Sequence, residues 1–115
     1  MYEAGDIVLL PFPFSDLSSA KRRPVLILTE PDTQGDFIAC PVTSRPGWIT
    51  ARPLSPDDLT ESSLPLASWV RTDKVVTLHT GLVARRFGHV TAPYRALIAA
   101  DVCRFLDVAA DTSRP

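Results

Sequence analysis

Ten of the chain's eleven prolines lie between Pro11 and Pro93, recurring every ten or so residues as far as Pro65, against only five glycines. Proline has no N–H to donate and clashes with the preceding helical turn, so this spacing excludes a bundle of long helices and leaves short strands broken by turns. The apolar residues agree. The segments "DIVLLPF" (6 to 12), "PVLILTE" (24 to 30), "DFIACPV" (36 to 42), "WITARPL" (48 to 54) and "PLASWVR" (65 to 71) are short, rich in β-branched or aromatic residues and bounded by turn formers. In "IVLL" and "VLIL" the apolar positions are consecutive, as expected of strands covered on both faces. "DTQGD" (32 to 36) reads as a hairpin turn with Gly35 free to take positive φ.

The last third changes period. "GLVARRFGHV" (81 to 90) reads as one more strand, and Thr91 then suits the N-cap of a helix through "APYRALIAADVCRFLDV". Tyr94, Leu97, Ile98, Val102, Phe105 and Leu106 follow the i, i+3, i+4 spacing of one apolar stripe, expected to pack on the sheet. The predicted fold is mainly β (α+β): a small barrel with a C-terminal amphipathic helix, in one domain over residues 1–109 with a frayed tail at 110–115. No apolar run approaches the ~18 residues that cross a bilayer, and "MYEAGDIVLL" lacks the basic start of a secretory signal, so a cytoplasmic location is expected.

Net charge is -1, which argues against coating nucleic acid through an overall field, but its distribution is uneven. Acids cluster at 30–36, 57–61 and 101–111, while residues 37–56 carry only Arg45 and Arg52 as charged groups. Arginines outnumber lysines ten to two, and the guanidinium fork suits phosphate oxygens. Cys40 and Cys103 have apolar neighbours and no metal-type spacing, so both read as buried thiols. His79 and His89 have no third ligand near them in sequence, so no metal and no cofactor are expected.

Three groups of residues are suited to chemistry. "KRRPVLILT" sets Lys21, Arg22 and Arg23 at the mouth of an apolar strand, and Pro24 holds the residue before it in extended backbone, so Arg23 projects from a stiff stem. It closes the polar loop "PFSDLSSAKRR", which also carries Ser18 and Ser19 and is too long for a tight hairpin. Thr43 and Ser44 follow "ACPV", with Arg45 next; the ordinary role of such hydroxyls is to bond their own turn. In "VRTDK", Arg71 and Asp73 share a face if extended and can form a charge-assisted pair, with Lys74 alongside; an exposed structural salt bridge is the ordinary explanation.

In order and spacing, "GDIVLLPFPFSD" with "KRRPVLIL", then "CPVTS", then "VRTDKVVTL" resembles the PemK/MazF family of toxins from type II toxin-antitoxin systems, from Gly5 to the terminal helix. The resemblance implies an SH3-like barrel of the plasmid-maintenance toxin type, a homodimer, metal-independent cleavage of single-stranded RNA at a short sequence, and neutralisation by a cognate antitoxin protein. Carried over, it implies catalytic roles for Arg23, Thr43, Arg71 and Asp73 and RNA contacts from Ser18, Ser19, Lys21, Arg22, Ser44, Arg45 and Lys74. The chemistry suits these types. In an internal transesterification a base takes the 2′-OH proton, cations stabilise the phosphorane and an acid protonates the 5′-oxygen, leaving a 2′,3′-cyclic phosphate and a 5′-OH.

The sequence also departs from the family. The first loop lacks the histidine that some members carry, Lys74 stands where glutamine is common, and the chain is less basic than many relatives. The alternative reading is a non-enzymatic toxin of the same barrel superfamily that binds a protein such as DNA gyrase; the tail "ADTSRP" lacks the tryptophan such relatives use. Trp48 and Trp69 offer stacking surfaces for bases but are expected in the core, and Phe12 and Phe14 as caps of the barrel.

Overall fold

The computed structural model describes residues 1–11, 21–47, 50–61 and 67–112. Eight strands and a helix follow in order: β1 (Asp6–Pro11), β2 (Arg22–Ile27), β3 (Asp36–Thr43), β4 (Ala51–Leu54), β5 (Leu59–Glu61), β6 (Ser68–Arg71), β7 (Val76–His79), β8 (Arg85–Val90) and α1 (Ala92–Thr112). The pairings are antiparallel, in the order β4-β6-β3-β2-β1-β8-β5, with β7 also on β3. The sheet curls into a nearly closed barrel backed by α1, the mostly β fold expected from the sequence.

The consecutive apolar runs serve two cores because successive side chains of a strand point to opposite faces. Ile7, Leu26, Cys40, Val42 and Val70 pack with Tyr94, Ile98 and Val102 of α1. Val8, Leu10, Val25, Ile27, Phe37 and Ala39 form the second core on the other face. Phe87 is skipped between Arg86 and Gly88 in the β1–β8 register, a bulge that sharpens the curl.

β3 is the strand on which the barrel turns. Its first half pairs β7, from Asp36↔His79 to Ala39↔Val76, and its end pairs β6, at Val42↔Val70 and Thr43↔Trp69. Pro41 stands in the interval between these ladders, where a missing N–H breaks neither. The β2–β3 hairpin turns on Gly35, at φ +89°, with Asp32 Oδ1 accepting from the N–H of Gln34 and of Asp36, both at 2.9 Å.

Asp6, only 1% exposed, latches β1 to β8. Its Oδ1 accepts from Arg86 Nε and His89 Nδ1, each at 2.8 Å, and its Oδ2 from the Glu3 N–H at 2.9 Å. Burial alone would raise this carboxyl, but the bonds from His89, Arg86 and Glu3 outweigh it and hold it below the usual range. Neighbouring Gly5, at φ +98°, touches the His89 ring so closely that a Cβ would lie 2.8 Å from Cε1.

The helix begins as expected, with Thr91 Oγ1 accepting from the Tyr94 N–H at 3.2 Å, and Tyr94 OH donating to the Pro53 carbonyl of β4 at 2.9 Å. The stripe does not all pack. Tyr94, Ile98 and Val102 are buried, whereas Leu97, Phe105 and Leu106 are 46%, 44% and 58% exposed. Leu97 sits roughly 100° round the helix from Ile98, off the sheet-facing side. Phe105 is about two turns beyond Ile98 on nearly the same bearing, so its exposure marks where α1 runs past the core. Cys103 is exposed, correcting its expected burial, while Cys40 is buried. β5 and β7 are strands the sequence did not reveal, and the segment 81–90 is strand only from Arg85, Thr80–Leu82 being a 3-10 turn. Among the described residues no helix is long and apolar enough to cross a membrane.

Candidate functional site

β1 and β2 bring the basic cluster to one end of the barrel, where Pro11 pairs Arg22 and Leu10 pairs Arg23. β2 and β3 pair at Val25↔Pro41, and continuing that register by two residues brings Arg23 level with Thr43 on the adjacent strand. Thr43 in turn pairs Trp69 on β6, and Arg71 lies two residues further along β6. Alternation therefore sets Arg23, Thr43, Trp69 and Arg71 on one face, the face whose interior is the second core. With strands ~5 Å apart and ~3.4 Å per residue along them, the group spans on the order of 10 Å.

Asp73 stands in the segment joining β6 to β7 and meets this group through its bonds to Arg71. The segment joining β6 to β7 passes the point where β3 changes partners, close enough for the Asp73 charge to act on Cys40. It is pinned there by Thr72, whose N–H at 3.2 Å and hydroxyl both donate to the Thr50 carbonyl. Arg71 donates to Asp73 from Nη2 at 2.8 Å and from Nε at 3.2 Å. These bonds, opposed by burial and helped by the Thr50 hydroxyl, hold the Asp73 carboxyl below its usual range. Burial, with the negative charge of Asp73, pushes the Cys40 thiol up to about 12.

Lys21, Arg22 and Arg23 are exposed, as are Ser44 and Arg45; Thr43, Arg71, Asp73 and Lys74 are half-buried. Thr43 Oγ1 accepts from the Arg45 N–H at 3.1 Å, the local turn bond such a residue commonly makes, which leaves the hydroxyl proton for another acceptor. Ser18, Ser19, Phe12, Phe14 and Trp48 lie outside the described residues. Trp69 is half-buried instead of sitting in the core.

One constellation was not legible in the chain. Glu3, Asp6 and His89 bring three ligand-type atoms within 4.8 Å of one another, because β1 and β8 are neighbours. Asp6 Oδ1 already accepts from Arg86, so a cation there would meet a guanidinium on the same oxygen. The cluster reads as the latch already described.

The arrangement offers rigidly mounted guanidinium groups, a hydroxyl and an ionised carboxylate on one open surface, which suits a phosphodiester. A family model described as PemK-like, MazF-like toxin of type II toxin-antitoxin system matches residues 3–106. Among proteins of curated function, none matches significantly in sequence. Solved structures resemble the chain along most of its length. A MazE–MazF complex from Deinococcus radiodurans is 25% identical, with a TM-score of 0.73 over 92% of this chain and 96% of that one. MazF alone from the same organism is 26% identical, with a TM-score of 0.72 over the same shares. A mycobacterial endoribonuclease in complex with its cognate antitoxin shares the fold, at 19% identity and a TM-score of 0.72 over 93% of this chain and 96% of that one. On a family match that runs from the first strand into the terminal helix, this chain belongs to the PemK-like, MazF-like toxins of type II toxin-antitoxin systems.

Proposed function

We propose that this chain is a metal-independent endoribonuclease toxin that cleaves single-stranded RNA at a short sequence by 2′-OH transesterification, leaving a 2′,3′-cyclic phosphate and a 5′-OH. The observation that carries this reading is the shared face: the strand registers bring Arg23, Thr43 and the Arg71–Asp73 pair to one end of the barrel. Arg23 stabilises charge on the phosphoryl oxygens, Thr43 orients the scissile phosphate, and Arg71 supplies a second cation or the proton for the leaving oxygen. Asp73 is positioned to accept the 2′-OH proton. As a carboxylate held ionised by Arg71 it is a weak base, so most of the rate is assigned to charge stabilisation.

Lys21, Arg22, Ser44, Arg45 and Lys74 border the same end and would guide the strand, with Ser18 and Ser19 from the first loop. The working unit is a cytoplasmic homodimer, and a cognate antitoxin silences it by laying an acidic or apolar tail over Arg23 and Thr43. Antitoxin complexes of similar toxins support that partner.

The test is cleavage of defined single-stranded RNA in excess EDTA by the wild type, Arg23→Ala and Thr43→Ala. Chelator-resistant cutting is expected, falling by about 10²–10³ in Arg23→Ala while the fold persists. Uncut RNA with the wild type, or undiminished cutting in both variants, would overturn the reading.

A further inference from the structure

Thr72, between Arg71 and Asp73, is only 4% exposed although both neighbours are half-buried. A buried hydroxyl costs free energy unless it is bonded, and valine fills nearly the same volume without one. Here the hydroxyl has a definite acceptor. Thr72 donates to the Thr50 carbonyl from its N–H at 3.2 Å and again from Oγ1. Ala51↔Arg71 ends the register of β4 with β6, so these two bonds carry the ladder one residue further, to the point where the chain leaves β6. The acceptor is itself fixed. β4 stands at the end of the sheet path, but α1 holds it: Arg52 donates to Asp101 from Nε at 2.6 Å and Nη2 at 3.1 Å, and Tyr94 OH donates to the Pro53 carbonyl at 2.9 Å. A line of support therefore runs from α1 through β4 and Thr50 to the residue that separates the two members of the ion pair.

Closure of that pair depends on the backbone between its members. Residues two apart in an extended chain are ~7 Å apart along it, so both prongs of Arg71 reach Asp73 only if the intervening residue keeps one conformation. We propose that Thr72 is a positioning residue for RNA cleavage: its hydroxyl on the Thr50 carbonyl sets the backbone from which Arg71 and Asp73 close their pair, and with it the place of the Arg71 guanidinium on the shared face. The proposal rests on the reading of Arg71 and Asp73 as part of the cleavage site. Buried as it is, Thr72 does not meet RNA and acts through its two neighbours.

The test joins steady-state cleavage of a defined single-stranded RNA in EDTA to the Arg71 Nε–H resonance in proton–nitrogen NMR. It uses the wild type, Thr72→Val, Thr72→Ser, Asp73→Asn and the double variant of Thr72→Val with Asp73→Asn, with circular dichroism to check folding. Thr72→Val is expected to lower kcat about tenfold with KM unchanged and to move the Arg71 signal toward that of an unpaired guanidinium. Thr72→Ser, which keeps the hydroxyl, should restore both. In the Asp73→Asn background Thr72→Val should cost little more, because the pair it positions is already lost. Wild-type kcat and an unmoved Arg71 signal in Thr72→Val, with Asp73→Asn impaired, would overturn the inference and leave the cleavage site standing. A loss that Thr72→Ser does not restore, the same tenfold loss repeated on top of Asp73→Asn, or a Thr72→Val chain that does not fold would make Thr72 a fold determinant and equally overturn it. Uncut RNA with the wild type would remove the cleavage reading and this one together, whatever the resonance shows.

Discussion

Arg71 and Asp73 close a two-pronged ion pair across the turn at which β3 exchanges β7 for β6. Two parallel N–H bonds fix the plane of the guanidinium as well as its position, which a single contact would not.

Asp73→Asn retains the shape of that partner but removes its charge, so Arg71 loosens. RNA cleavage should fall by about 10–10², and because the two side chains are only 14% and 23% exposed, stability should fall by about 1–3 kcal/mol as well. Single-turnover assays with thermal melts test this. Because Arg71 holds Asp73 below 3.8, the carboxylate stays ionised throughout about pH 5–8 and should produce no inflection there. An acid limb in that window, abolished by Asp73→Asn, would contradict the assignment.

Removing the latch should be costlier. Asp6→Asn leaves Arg86 and His89 without their shared anion and is expected to lose about 2–3 kcal/mol, less than the 3–5 of a fully buried pair because Arg86 reaches solvent. The folded carboxyl lies below its unfolded value of 3.8. Between the two values the unfolded chain holds the extra proton, so stability rises with pH there. The contribution is complete above about pH 5 and disappears as pH falls through the folded value. Urea melts from pH 3 to pH 7, flatter in Asp6→Asn than in the wild type, check the sign.

Neighbouring residues of α1 should respond very differently to truncation. Ile98→Ala opens a cavity between helix and sheet and should cost about 2–5 kcal/mol. Leu97→Ala, at a site 46% exposed, should cost under about 1 kcal/mol. Equal losses in denaturant melts would place Leu97 in the core.

The two thiols should separate by reactivity. Cys103 is exposed and should react quickly with an aromatic disulfide reagent, whereas Cys40, buried and with its thiol pushed up to about 12, should react only on unfolding. Two fast thiols in the native protein would refute this.

Local chemistry made much of this molecule readable in one dimension. The runs over Ile7–Leu10 and Val25–Leu28 announced strands buried on both sides, Gly35 its turn and Thr91 its cap, because each depends on residues within a few positions of itself. β5 and β7 escaped notice for the opposite reason. At three and four residues they carry too little pattern of their own and exist because β8 and β3 offer ladders to pair with.

The site divides in the same way. The residue types, Arg23 beside Pro24, Thr43 after its strand, and Arg71 two before Asp73, stand plainly in the sequence. The common face of Arg23, Thr43 and Arg71, to which Asp73 is tied by its bonds to Arg71, comes from strand register, which sums hydrogen bonds between segments far apart in the chain. Exposure of Leu97, Phe105 and Cys103 was likewise decided in three dimensions: helical periodicity gives the bearing of a side chain, but only the extent of the sheet determines whether anything lies opposite it.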